Sequence, residues 1–262
     1  MLSDSDSSQS GEEVSSDRAT AHVGLVCTHA MELKPLLQKL DRRRRYADGS
    51  LRFTGGFLGE SLRVAVVEAG VGFAAHRNAT EILVREHSPS WVIAAGFSSS
   101  LSEEVLSGDL SLATSICDTH GQRLEIKCPI PESKHVTRRP HVVADSHPRT
   151  VQDKRQLAES SAASADTNSL AVAQICEATA RPFLSIRAII EGIDEELPDD
   201  VISRLFEPDQ ILRSGKAMRW IENWRQPAEV KEWMSRATTV AERLSRFLDG
   251  VIRQLGEHVE RG

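Results

Sequence analysis

Four short stretches place polar side chains at the ends of apolar runs. "CTHAME" (27–32) ends in Glu32 just past a strand-like run. A carboxylate at a helix start can orient a water as a base, or it can pair with the helix dipole as a first-turn acid. "EAGVG" (68–72) opens a helix with a lone GxG, which without a longer GxGxxG does not make a dinucleotide site. "GFSSSL" (96–101) follows a buried run with three serines, which supply hydroxyls to a pocket or form a flexible loop. "IIEGID" (189–194) ends the run "FLSIRAII", and Glu191 is expected at the sheet rim, where partial burial raises a carboxyl pKa and creates a general acid. Asp194 reads as a cap for the helix that follows. A fifth stretch, "DTNSLAVAQ" (166–174), opens a nearly all-apolar helix with Asp166, Thr167 and Asn168, natural acceptors for its free N–H groups. The histidines form no HxxxH or HExxH pair, and Cys27, Cys117, Cys128 and Cys176 show no CxxC spacing. Neither a metal site nor a disulfide framework is therefore expected, and no organic cofactor is implied.

The elements that must position these groups follow from hydrophobic patterning. With 262 residues, 40% of them hydrophobic, the chain suits one large α/β domain over 21–257. Residues 1–20 carry almost no apolar side chains and read as an acidic, Ser-rich disordered tail. The order thereafter is a strand at 22–29, a helix that the "DRRRR" of 41–45 ends as a solvated turn, a hairpin (51–59, 61–70) and a helix (71–87). Strands follow at 90–101 and 107–118, an irregular Pro-containing stretch at 119–140 and a strand at 141–145. The chain continues with helices at 150–160 and from 166, a strand at 181–194, a helix at 199–206, a connector rich in Trp and Pro, and an amphipathic helix over 228–256. Alternating strands and helices predict a three-layer α/β/α domain around a central sheet, and the hairpin makes that sheet mixed. In such folds ligands bind beyond the carboxyl ends of strands, where the first four of these stretches fall. A formal charge of −6 argues against a nucleic-acid partner. No apolar run reaches the roughly 20 residues of a membrane helix, and the unpatterned cysteines suit a cytoplasmic protein without a membrane partner.

Several of these segments occur together and in order in one family. "VGLVCTHAMELKPLL", "EAGVGFAAHRNATEILVREHSPSWVIAAGFSSSLSEEVLSGDLSLAT" and "DKRQLAESSAASADTNSLAVAQICEATARPFLSIRAIIEGID" resemble the purine/uridine phosphorylase superfamily, closest to its methylthioadenosine/S-adenosylhomocysteine nucleosidase branch. The resemblance covers roughly 22–255 and implies a nucleoside phosphorylase-like fold, a nucleoside substrate, cleavage of its N-glycosidic bond and a homodimer. It places Glu32 on the glutamate that activates water, and Glu191 on the aspartate that protonates the departing base, one methylene longer. Asn168 falls on the ribose-binding glutamate, with Thr167 replacing a methionine. Phe97 falls on the serine of the family's Gly/Ser loop, with Ser98 beside it. The glycine–arginine phosphate loop of the phosphorylases has no counterpart in "CTHAME", so hydrolysis is implied over phosphorolysis. A binding or regulatory protein that keeps the pocket without turnover is the alternative.

Overall fold

The computed structural model describes residues 20–206 and 228–260. The acidic tail and the Trp/Pro connector with Trp220 and Trp224 lie outside these residues. Strand β1 (Val23–Cys27) is buried throughout and leads into α1 (Ala30–Lys39), which buries Leu33, Leu36 and Leu37. The chain then makes an antiparallel meander, β2 (Asp41–Asp48), β3 (Leu51–Leu58) and β4 (Leu62–Glu68). The arginine run is thus an exposed edge strand and not the end of a helix. Leu40 is already extended, and a row of cations suits an edge that must not pair with other chains. Gly72, at φ 101°, turns the chain into α2 (Phe73–His87), and β5 (Trp91–Ser100) returns buried along nearly its whole length.

The stretch 119–140, expected to be irregular, contains β7 (Arg123–Glu125) and the first half of β8 (Val136–Val143), both paired with β6 (Leu110–Asp118). Pro131 and Pro140 mask this pairing in the sequence. Helix α3 (Val151–Ala158), the three-residue β9 (Ser164–Asp166), α4 (Ser169–Ala178), β10 (Phe183–Glu191), α5 (Asp199–Leu205) and the long α6 (Ala228–Glu260) complete the order.

The strands form one mixed sheet in the order β10-β6-β8-β9-β5-β1-β4-β3-β2. Because β10 also pairs in parallel with β5, five strands join in a ring from which β1, β4, β3 and β2 extend. One face carries α1, α5 and α6 over a large apolar cluster, and the other carries α2 and α4 over a second. This is the three-layer arrangement expected. Helix α6 contributes Val230, Trp233, Ala237, Val240, Leu244, Leu248, Val251 and Leu255 on one stripe, so Trp233 packs into its own domain. No helix among the described residues is long and apolar enough to cross a membrane.

Candidate active site

The carboxyl ends of β1, β5 and β10 converge with the start of α4. Glu32, in the first turn of α1, is only 3% exposed. Its Oε2 accepts the backbone N–H groups of Thr28 (2.8 Å) and His29 (3.0 Å), and its Oε1 accepts that of Phe97 (2.9 Å). It therefore bridges the end of β1 to β5. Gly96 makes this approach possible: a Cβ there would stand 2.6 Å from Glu32 Oε1 and 3.2 Å from Arg187 Nη1. Phe97 contributes its N–H, and its ring belongs to the buried apolar cluster.

A second cluster surrounds Arg187, which is buried on β10. Its Nη2 donates to Asn168 Oδ1 at 2.7 Å, and its Nε lies 3.2 Å from Asp166 Oδ2 without pointing in line at an acceptor. Asp166 caps α4 by accepting the N–H groups of Asn168 and Ser169 and the Ser169 hydroxyl, all at 2.7 Å. Burial opposes ionisation of Asp166, but the Arg187 charge and these hydrogen bonds outweigh it and hold the carboxyl below its ordinary range. Asn168 Nδ2 donates to Thr28 Oγ1 at 3.2 Å, which ties α4 to the Glu32 loop. His76 Nε2 stands 3.5 Å from the same hydroxyl. Its burial, reinforced by the Arg187 charge against the bond to the Gly72 carbonyl, lowers its pKa to about 3, so the ring is neutral. Ser98 is buried beside this cluster with an unpartnered hydroxyl, and Thr167 is partly exposed.

Glu191 departs from expectation. It is wholly buried and not at a partly solvated rim. Its Oε1 accepts the Ser99 hydroxyl at 2.6 Å and lies 3.0 Å from His147 Nε2, while its Oε2 accepts Lys154 Nζ at 2.8 Å. Burial pushes its pKa up, but His147 and Lys154 outweigh that effect and hold it below the ordinary value. The raised pKa of a general acid is therefore corrected to a lowered one: Glu191 is an anion. Lys154 is fully buried and also donates to the carbonyls of Gly192 (3.0 Å) and Glu195. The His147 ring stacks on Phe206, centroids 4.1 Å apart, and His29 Nε2 lies 2.8 Å from the Leu205 carbonyl. The end of α5 is thus held at both carboxylates.

Glu32 and Glu191 are bonded to β5 at Phe97 and Ser99, on either side of Ser98, while Asn168 reaches the Glu32 loop through Thr28. Sequence reasoning missed Arg187, Asp166's ion pair, Lys154 and His147. Arg187 carried a signal, since a single cation in an otherwise apolar strand needs a buried partner; Lys154 carried none, because α3 is polar nearly throughout. Among the described residues no group of three or more His, Cys, Asp or Glu side chains is arranged to hold a metal ion.

The family model described as the phosphorylase superfamily matches residues 22–163. No curated protein matches the sequence. The fold is similar to that of S. pneumoniae methylthioadenosine/S-adenosylhomocysteine nucleosidase with a transition-state inhibitor, with 14% identity, TM-score 0.67, and 88% of this chain and 97% of that one covered. It is also similar to the nucleosidase of Neisseria meningitidis in complex with methylthio-immucillin-A (17% identity, TM-score 0.66, 87% and 98% covered). Futalosine hydrolase of Helicobacter pylori is similar as well (14% identity, TM-score 0.65, 90% and 98% covered). At these identities the likeness is one of fold.

Proposed function

Because the chain belongs to the phosphorylase superfamily, we propose that its 21–257 domain hydrolyses the N-glycosidic bond of a purine nucleoside of the methylthioadenosine or S-adenosylhomocysteine type. The observation that carries the reading is Glu32. A carboxylate offers about four acceptor positions, and three here receive backbone N–H groups from two separate elements. The carboxylate is thereby fixed with one position left for a water. As the water oxygen bonds to the anomeric carbon, Glu32 takes its proton, and the C–N bonding pair leaves with the base. Asn168 and the free hydroxyl of Ser98 contact the sugar, with Thr167 beside them at the start of α4 and the Phe97 N–H holding the base catalyst. Asn168 lends no negative charge to the ribosyl cation. Water is the nucleophile in this reading because "CTHAME" has no glycine–arginine phosphate loop. The unpaired thiols of all four cysteines suit the cytoplasm, and the active form is a homodimer, which light scattering tests.

The experiment is a base-release assay with methylthioadenosine, S-adenosylhomocysteine, adenosine and inosine, with and without phosphate. Release independent of phosphate and abolished by Glu32→Gln, in a variant that keeps its fold, is the expected result. A second reading, a nucleoside-binding or regulatory protein, is favoured by the ion pairing of Glu191 and the neutral Asn168. Measurable binding without release would select it, and a large gain in release from Asn168→Glu with Glu191→Asp would mark a decayed enzyme.

A further inference from the structure

Departure of a purine base needs a proton, and the anionic Glu191 has none to give. Its surroundings narrow the source. The Ser99 hydroxyl hydrogen is used in the bond to Glu191. Lys154 has three N–H groups and three acceptors, Glu191 Oε2 and the carbonyls of Gly192 and Glu195. It is a strut that fixes the carboxylate. The remaining proton-bearing group is His147. Its Nε2 lies 3.0 Å from Glu191 Oε1, yet its N–H has no aligned acceptor. The ring is 8% exposed, and its plane is set by the stack on Phe206.

We propose that His147, through Nε2, is the proton donor to the departing base, with Glu191 as the fixed carboxylate beside the ring and Lys154 and Ser99 as residues that position Glu191. The inference rests on the hydrolytic reading above. In the step, the glycosidic C–N bond breaks with its electron pair passing to the base, and the Nε2 proton moves to a ring nitrogen of that base. The water oxygen bonds to the anomeric carbon while Glu32 takes the water's proton. Transfer of that proton to His147 through solvent restores both groups, so the sum is nucleoside plus water to sugar plus base.

The test compares ordinary purine nucleosides with substrates whose leaving group needs no proton: ring-methylated purine nucleosides that carry a fixed positive charge, and a nitrophenyl riboside. His147→Phe keeps the aromatic stack and His147→Gln keeps an N–H donor that cannot transfer its proton. Purine release from both variants is expected to fall by about 10²–10⁴-fold, while turnover of an activated substrate stays within about threefold of the parent. Undiminished purine release in the variants overturns the proposal, as does a loss that spares neither activated substrate. Absence of base release from the parent protein overturns the hydrolytic reading itself, and that result is read without any variant.

Discussion

Replacing Lys154 by Met tests the reading of Glu191 as a buried anion held by His147 and by the Lys154 ammonium group. Both side chains are fully buried, and the Nζ–Oε2 distance is 2.8 Å. Met fills similar volume but leaves the carboxylate with only Ser99 and His147, and breaking a buried ion pair by removing one partner costs about 3–5 kcal/mol. For a chain of this size each kcal/mol lowers the melting temperature by roughly 2–4 °C, so a fall of about 6–20 °C is expected. The sign of the pH dependence is specific. In the parent protein the lowered pKa of Glu191 means its stabilisation is present above the unfolded value of about 4.3 and is lost as pH falls through the folded value. In Lys154→Met the carboxyl keeps His147 but loses its ammonium partner, so its pKa rises relative to the parent and less of that stabilisation is present near neutral pH. The gap between the two proteins should therefore be widest near neutral pH and narrow in acid. Urea unfolding monitored by circular dichroism across pH measures both curves. Lys154→Met with Glu191→Met, which removes both charges, should recover most of the loss. A single variant within about 1 kcal/mol of the parent at neutral pH, or a gap that does not change with pH, would refute the assignment.

Three further outcomes follow from the geometry. Gly96→Ala puts a Cβ 2.6 Å from Glu32 Oε1; it should cost about 1–3 kcal/mol of stability and lower base release by more than that strain explains, measured as kcat against melting temperature. Asp166→Asn leaves the Arg187 charge buried without its anion, and a loss of about 3–5 kcal/mol is expected at neutral pH. Because the Asp166 pKa is lowered in the folded state, that deficit should shrink as pH falls through the acid range, followed by thermal unfolding. His141, buried between Ser111 (2.8 Å) and Ser185 (3.5 Å), has its pKa lowered to about 4, chiefly by burial. The unfolded chain therefore binds its proton first, and stability falls as pH drops from about 6.5 toward 4. His141→Gln, measured by denaturant unfolding, should flatten that limb.

The helices and the long strands were legible because their apolar residues repeat with a clear period or form unbroken runs, as in β5 and β10. Strand β2 was not, since "DRRRRYAD" is exposed at every position and is extended only because β3 pairs with it. The start of β8 was hidden by its prolines and by its dependence on β6, a partner distant in the chain. At the site, Glu32 was readable as a carboxylate just past a strand end. The environment of Glu191 was not, because it depends on Lys154, 37 residues away on a short helix, and on His147 in a loop. The expectation of a raised pKa followed from burial alone; the partners that reverse its sign come from tertiary structure.

Strand β10 is hydrogen-bonded on both sides, to β5 along its length and to β6 over Ile186–Ala188. It carries Arg187 within that doubly paired stretch and Glu191 at its end. Amide hydrogens along 186–188 can exchange with solvent only when the ring of strands opens, whereas those of β2 need only the outer edge to fray. Slow exchange at 186–188 set against fast exchange at 41–48 would make the charges at the site part of the last unit to unfold. The anions and cations there would then keep their relative positions for as long as the domain remains folded.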